Sequence, residues 1–551
     1  MATRQLSGML FSELVHGGAA NLRANAQTVN DLNVFPIPDG DTGENMSLTM
    51  AGGVNASNDI HSTALSDVSD TIATGMLLSA RGNSGVILSQ FFAGMAKGFT
   101  GSDEADVRTV GHAFMSGVRR AYESVMKPTE GTMLTVAREG AEYAFARINE
   151  ESTLETFFSD VLDEMNRSLQ RTPELLDVLR EAGVIDSGGA GLVYIIDGMN
   201  RTIRGEEVYE GEAAFSGGHH IDTSKFNADS VMEFAYCTEF LLQLQNSKCD
   251  AEHFDEKVIT DYLKTVGDSI VAFKTGTIVK VHVHTLTPGA VLEFARQYGE
   301  FLTVKIENMT LQHNDIIEKD DEPKHELKRE RKRFAAIAVA EGEGIRQTLS
   351  DLGADHVIDG GQGKNPSSED FIEAFDLVNA DTIFVLPDNG NIIMAAQLAA
   401  NMYTGSKVYV VPSKSIGDGY AALSMMSFDL GNADTILSEM TEAMEGVVTC
   451  QVTRSIRDAV IDDVDIHVDD YIGFSGKSML SAAENKVDAA VEMLEKMNAS
   501  DHEVMIVIYG TSANDEDRNA FRQSVKRGCP STELYEIDGG QDVYDFEIIL
   551  E

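Results

Sequence analysis

Between Asp31 and Gly43 the chain gathers three Asp, two Pro and two Gly ahead of an apolar run with helical spacing. Asp39 and Asp41 flank a single glycine, and carboxylates that close repel unless a cation lies between them. Asp41-Thr42-Gly43-Glu44 has the Asp-x-x-Glu form of a capping box, whose first side chain would satisfy backbone N–H groups of a new helix for about 0.5–2 kcal/mol. That accounts for one carboxylate and leaves Asp39 without a structural task. Hard oxygens on a glycine turn suit Mg2+, and a helix starting over Asp41–Glu44 would aim its positive dipole end and free N–H groups at phosphate oxygens. The residues alone leave two readings open, a capped turn and a magnesium–nucleotide site built on Asp39 and Asp41.

Three further polar turns precede helical runs. Gly82-Asn83-Ser84-Gly85 opens VILSQFFAG and could offer N–H groups and a hydroxyl to a phosphate. Lys127 to Leu134, KPTEGTML, leads into a second helix, and Asp186-Ser187-Gly188-Gly189-Ala190-Gly191 precedes LVYIIDGM. Each turn is a common way to join helices, but four of them at helix starts within one region point to a shared ligand. The elements that must position them are helices: from Leu6 to about Arg204, apolar residues recur every three or four positions, which predicts an all-α domain over 1–205.

The period changes after Gly217. FAYCTEFLLQL, SIVAFKTG, TIVKVHVHT and FLTVKIENM read as strands, with AEHFDEKVITDYLKTV and PGAVLEFARQYG as helices, so 224–315 is expected to be a small ferredoxin-like α+β domain of β-α-β-β-α-β order. Glu318 to Phe334, EKDDEPKHELKRERKRF, carries six Lys or Arg in its last eleven positions. It lacks interleaved aromatics to stack bases and reads as a solvated linker or a short exposed helix. From 334 to 551, strand-like AAIAVA, TIFVLP, KVYVVP and VMIVIYG alternate with helices, an α/β region. HVIDGGQG at 356–363 is echoed by YEIDGGQD at 535–542, as two related subdomains would produce.

Composition bounds the function. With 43 Lys plus Arg against 89 Asp plus Glu, the formal charge is −46 over 551 residues, a field that repels nucleic acid and anionic membranes. Four scattered cysteines make no disulfide framework, the N-terminus has no signal-type apolar core, and no run approaches the roughly 20 apolar residues of a membrane span. A cytoplasmic location is the expectation. His282 and His284 alternate on a predicted strand and share a face, and Cys237 on a neighbouring strand supplies a soft third ligand, so a Zn2+ site is expected there, catalytic or structural. His313 is a weaker candidate ligand.

DGDTGENM at 39–46, ARGNSGVILSQ at 80–90, KPTEGTML at 127–134 and DSGGAG at 186–191, in this order, resemble the nucleotide-binding domain of dihydroxyacetone kinases. LNVFPIPDGDTGENM, with KVHVHT and a long C-terminal region, more closely resembles the ATP-binding subunit of bacterial fatty acid kinase, over essentially the full chain. The resemblance implies a helical barrel holding ATP and two Mg2+ ions among its interhelical loops at one end. It implies Asp39 and Asp41 as catalytic metal ligands. Thr42, Gly43, Glu44, Asn45, Asn83, Ser84 and Gly85 would surround the nucleotide, with Thr132, Met133, Asp186, Ser187 and Gly188. Dihydroxyacetone kinases place a third Asp five residues before the pair, where this chain has Val34; Asn33 or Asp31 must substitute, and the fatty acid kinase pattern favours Asn33 as the further magnesium ligand.

The implied reaction is phosphorylation of a fatty acid carboxylate, with acyl phosphate for phospholipid synthesis as product. The acyl chain would come from a separate small fatty-acid-binding protein of DegV-like type, and the zinc expectation at Cys237, His282 and His284 is strengthened. A carboxylate is ionised at pH 7 and needs no general base, which suits a site rich in Asp and poor in His. A dihydroxyacetone-type kinase would need a second module with a ketone-binding His, and none is evident. A non-catalytic nucleotide scaffold would not need the Asp39/Asp41 pair, and a zinc hydrolase would have only Glu239 as a nearby base. A homodimer and the roles of the C-terminal subdomains stay open.

Overall fold

A computed structural model of the chain describes residues 3–32, 40–58, 60, 62–206, 236–251, 254, 257–275, 277–308, 331–428 and 431–551. The chain divides into two compact units, Met1–Ala213 with Glu330–Glu551, and Ala214–Arg329.

The larger unit begins with helices α1 (Gly8–Ala24), α2 (Ala26–Asn30), α3 (Thr42–Asn58), α4 (Leu65–Leu78), α5 (Gly82–Gly98), α6 (Val107–Glu123), α7 (Met133–Arg147), α8 (Leu154–Leu175), α9 (Asp177–Ala182) and α10 (Ser187–Ile203). Apolar spacing decides their faces. In α6, Val107, Val110, Phe114, Val118 and Ala121 form one buried stripe while Arg108, His112 and Arg119 stay in solvent. Asp106 caps this helix, accepting the Thr109 N–H at 2.8 Å. Neighbours α1, α4, α5, α6, α7, α8 and α10 pack in a circuit that returns to α1. Inside it Phe91, Phe92, Phe114, Phe157 and Phe158 meet edge to face, each contributing about 1.5–3 kcal/mol by burial. Close approach depends on missing side chains: a Cβ on Gly94 would lie 2.6 Å from the Gly117 Cα.

The all-α expectation needs one correction. Gln5–Ser7 (β1) and Glu104–Asp106 (β2) pair antiparallel, Leu6 opposite Ala105. Three residues cannot display a two-residue period, so helical spacing on either side masks them.

After the second unit, the C-terminal region comprises β7 (Lys332–Ala340), α13 (Glu343–Asp351), β8 (His356–Asp359), α14 (Ser368–Val378), β9 (Ala380–Leu386), α15 (Ile393–Met402), β10 (Lys407–Val410), α16 (Ile416–Met425) and α17 (Ala433–Glu445). Its first sheet is parallel, in the order β10-β9-β7-β8. Ala335, Ile337 and Val339 of β7 face one core and Phe334, Ala336, Ala338 and Ala340 the other. Burial on both sides is why this strand reads as an unbroken apolar run rather than an alternation.

The second sheet is mixed: β11 (Val448–Arg454), β14 (Tyr471–Ser475), β15 (Ser478–Ala483), β16 (Val504–Tyr509), β17 (Glu533–Asp538) and β18 (Phe546–Leu550) order as β15-β14-β11-β18-β16-β17. A small hairpin of β12 (Ala459–Ile461) and β13 (Val464–Ile466) and helices α18 (Lys486–Lys496) and α19 (Asp515–Gly528) complete the region. The sequence echo corresponds to two parallel strand-helix-strand units, β7-α13-β8 and β16-α19-β17. They interlock: the Gly539 carbonyl of the second accepts the Gly344 and Ile345 N–H groups at the start of α13, at 3.0 and 3.3 Å. Only glycine fits at 344, because a Cβ would sit 1.7 Å from the Asp538 carbonyl.

The smaller unit, taken by itself, runs β3 (Tyr236–Leu244), α11 (Lys257–Val266), β4 (Gly267–Thr275), β5 (Ile278–Thr285), α12 (Pro288–Ala295) and β6 (Gly299–Asn308). The sheet order is β4-β5-β3-β6, every pair antiparallel. Phe240, Leu242, Val279, Val281 and Val283 are buried with Ile259 and Leu263 of α11.

Candidate active site

The four turns singled out in the sequence sit at the starts of α3, α5, α7 and α10, and the structure brings them to one cavity of about 750 Å³. Asp41, Thr42 and Asn45 line it from the first turn, and Asn83 and Ser84 from the second. Thr132 and Met133 come from the third, and Asp186, Ser187 and Gly188 from the fourth. Four helix N-termini so gathered turn their positive dipole ends toward one space.

Local interactions fix each start. The Gly43 N–H is taken by Asn30 Oδ1 at 2.7 Å, and a Cβ on Gly43 would lie 2.2 Å from the Ala26 carbonyl, so α3 begins hard against α2. Gly82 adopts φ +57° to turn the chain from the extended Arg81 into α5, where a Cβ would meet Asn45 Nδ2 at 2.6 Å. Asp186 caps α10, accepting the Gly189 N–H at 2.6 Å. Its residue keeps some surface, but the carboxyl lies deep in the wall, and burial raises it to about 6 against the lowering by the Gly189 and Met133 N–H groups. Ser187 Oγ reaches Thr42 Oγ1 at 3.4 Å, tying the first turn to the fourth.

Gly43, Glu44 and Gly85 belong to these helix starts but are not among the lining residues. Glu44 is exposed, and Gly85 packs on α3, where a Cβ would lie 2.4 Å from Thr49 Oγ1. Asn33, Asp39 and His313 lie outside the described residues, as do the side chains of Cys237, Glu239, His282 and His284. The backbone register nevertheless pairs Cys237 with His284 and Glu239 with His282. These pairs alternate with Thr238–Val283 and Phe240–Val281, whose side chains are buried. Among the described residues, no group of three His, Cys, Asp or Glu is placed to hold a metal.

Sequence reasoning confined the site to the first helical region and missed its opposite wall, which the C-terminal region supplies. Glu341, Asp388, Lys414, Lys477, Gln541 and Glu547 line it there. The DGGQ echo was the available signal, since Gly360, Gly361 and Gln362 of one copy and Gln541 of the other all reach the cavity. Asp388 is 8% exposed, has φ +54°, and among the described residues neither carboxylate oxygen accepts a hydrogen bond of good geometry. Burial holds it well above the usual carboxylate range, with Asp418 and Glu547 adding to the effect and the neighbouring Ser413 hydroxyl opposing it. Burial pushes Glu547 up to about 7, helped by Glu341 and opposed by Gln451, whose Nε2 donates to Oε1 at 3.1 Å. Glu341 is raised by burial and then by Asp542 and Asp359. Carboxyls raised in this way, Glu547 above all, make this wall less hostile to an anion than its composition implies.

The two walls are clasped. Arg81 Nη1 donates to the Asn365 carbonyl at 2.8 Å and stands 3.6 Å from Asp370. The Ser368 N–H donates to the Ala80 carbonyl at 3.2 Å, and Asn83 Nδ2 to Asn391 Oδ1 at 3.2 Å. Asn365 Nδ2 donates to Asp41 Oδ2. The half-exposed Arg81–Asp370 pair contributes at most about 1 kcal/mol. Ala80 and Val86 do more, since both are buried in the core shared with β7, β9, α14 and α15.

Family models match three successive stretches of the chain. Residues 36–201 match the DAK2 domain, 233–316 the FakA-like middle domain of fatty acid kinase, and 335–551 the FakA-like C-terminal domain. Protein YloV of Bacillus subtilis is 37% identical over 558 residues, covering 100% of both chains. An uncharacterized protein of Staphylococcus aureus strain USA300 is 35% identical over 553 residues, 99% of this chain and 100% of that one. Among solved structures, DegV, a fatty acid binding protein from Bacillus subtilis, aligns with TM-score 0.31 and 11% identity, covering 40% of this chain and 99% of its own. The dihydroxyacetone kinase of C. freundii in complex with AMP-PNP and Mg2+ aligns with TM-score 0.28 and 18% identity, over 35% of this chain and 33% of its own. Full-length relatives at this identity, together with the match of all three parts, place this chain in the FakA-like family of fatty acid kinase proteins.

Proposed function

We propose that the chain is the ATP-binding kinase subunit of a two-protein system. It transfers the terminal phosphoryl group of ATP to the carboxylate of a fatty acid presented by a separate fatty-acid-binding protein, giving an acyl phosphate for phospholipid synthesis. The observation that carries this reading is the convergence of Asp41, Ser84, Thr132 and Ser187, from four separate helix starts, on one cavity of about 750 Å³, a size that encloses small-molecule ligands. In this reading the N–H groups of α3, α5, α7 and α10 and the hydroxyls of Thr42, Ser84, Thr132 and Ser187 hold phosphate oxygens. The raised carboxyls of Asp388 and Glu547 limit repulsion from the far wall.

Asp41, a hard oxygen donor on the cavity wall, fits Mg2+, and Asp39 and Asn33 would join it as ligands. Bound there, the cations would neutralise charge on the phosphates. The acceptor carboxylate is ionised well below pH 7, so the protein's part is to orient it in line and exclude water. No proton has to be moved.

The smaller unit fits a ferredoxin-like domain, with Zn2+ held by Cys237, His282 and His284 as the register allows. The carrier of the acyl chain would dock on this domain or on the C-terminal region, in the cytoplasm. Among the described residues no helix is long and apolar enough to cross a membrane.

The test is turnover of ATP by the full chain with Mg2+ and a fatty-acid-loaded binding protein, with acyl phosphate trapped by hydroxylamine. Asp41→Ala should lower the rate by on the order of 10²-fold or more while circular dichroism is unchanged. Undiminished acyl phosphate formation by that variant would remove Asp41 from the site.

A further inference from the structure

We propose that Asn365, a residue of the C-terminal region, is a ligand of the divalent cation at Asp41, so that the cation site is shared between the helical and C-terminal regions. The inference rests on the magnesium–nucleotide reading above and adds to it a residue 324 positions away in sequence.

Asn365 is 4% exposed, and its side-chain amide is in direct contact with the Asp41 carboxylate. With Nδ2 turned to Asp41, the amide oxygen Oδ1 has no hydrogen-bond partner among the described residues. A buried acceptor left unpaired is costly, and native structures rarely keep one without a use. The two ends of an amide have the same shape, so orientation is set by what each end meets. Turning this amide over would bring Oδ1 against Asp41 Oδ2, an arrangement that a cation beside both oxygens makes favourable. A carboxylate with a neutral amide oxygen is a hard, all-oxygen donor set of the kind magnesium and manganese take.

The residue is held for this position. Arg81 grips its backbone carbonyl at 2.8 Å, and the preceding turn closes through the Gly361 N–H to the Lys364 carbonyl at 3.0 Å. Two residues on, Ser367 forms an antiparallel bridge with Arg81. Because Arg81 immediately precedes α5, the segment carrying Asn365 is registered to the same helix start that presents Asn83 and Ser84. Displacing the two walls would therefore loosen the cation and the phosphate contacts together.

The experiment is Mn2+ binding by the full-length chain in the presence of AMP-PNP, read from the electron paramagnetic resonance signal of free Mn2+, with melting curves taken with and without Mn2+. Asn365→Ala should weaken Mn2+ binding by about tenfold or more. Asn365→Asp should restore it, with a melting temperature that is low without Mn2+, where two carboxylates meet, and recovered with it. A residue that only pins Asp41 through its N–H group predicts the reverse order, with Asp worse than Ala. Wild-type affinity in Asn365→Ala, or affinity in Asn365→Asp no better than in Asn365→Ala, overturns the proposal and leaves the nucleotide reading standing. Failure of the wild-type chain to bind Mn2+ with AMP-PNP overturns both. Should Asn365→Ala not fold, Asn365→Asp decides alone: a Mn2+-dependent melting gain larger than that of the wild type supports the ligand role, and no gain refutes it.

Discussion

Replacing Glu547 by glutamine should stabilise the protein at alkaline pH and have little effect at acid pH. Glu547 is 5% exposed on β18, between Gln451 of β11 and Ile508 of β16. Burial is the main reason its carboxyl rises from 4.5 to about 7. A carboxyl whose value is higher in the folded than in the unfolded chain binds its proton more tightly when folded. Stability therefore falls as pH rises from about 4.5 to about 7, and the whole penalty is present above 7. At ~1.36 kcal/mol per pH unit the gap amounts to about 3 kcal/mol as an upper figure. Glutamine keeps the shape and an acceptor for the Gln451 amide while removing the ionisation, so at pH 8 the variant should recover most of that sum. For a large unit this corresponds to a rise in melting temperature on the order of 5 °C. Paired thermal scans of Glu547→Gln and wild type at pH 8 and pH 5 give the comparison. A difference that is equal at both pH values, or larger at pH 5, would show that the carboxyl ionises without strain and that the burial argument is wrong.

Two other expectations can be checked on the same preparations. Elemental analysis of purified chain should find about one zinc, lost in His282→Ala and in Cys237→Ser; zinc-free protein with an undisturbed melting curve would refute that site. Gly82→Ala should cost about 1–2 kcal/mol for placing a side chain at φ +57° and should also weaken nucleotide binding, because the new methyl displaces the Asn45 amide from 2.6 Å. Calorimetry with AMP-PNP and Mg2+ that finds unchanged affinity in Gly82→Ala would separate the α5 start from the binding site.

How much could be read in advance depends on how far a residue's partners lie along the chain. The helix starts at Thr42, Gly82, Met133 and Ser187 were legible because each is announced locally, by a polar or glycine turn ahead of apolar residues at three-to-four spacing. Their convergence was not written in any one of them; it came from a family resemblance and then from the closed circuit of helices. The pair β1–β2 was invisible because three residues hold too little pattern. The far wall was invisible for a stronger reason. Asn365 sits beside Asp41 through a contact spanning 324 residues, and Asp388 owes its raised carboxyl to burial and to Asp418 and Glu547, which only folding brings near. The one sequence trace of that wall was the DGGQ repeat, whose meaning was spatial. Each copy ends a parallel strand-helix-strand unit, and glycines at the ends of such strands let the backbone approach closely enough to enclose a ligand. In the proposed reading, a site divided between the helical and C-terminal regions ties ligand binding to their mutual contact: Asn365 meets Asp41 and Asn391 meets Asn83 across the same cavity. Clasp and site are therefore varied together, and substitutions at Arg81 or Asp370, neither of which lines the cavity, are expected to lower AMP-PNP affinity in calorimetry through the position of Asn365.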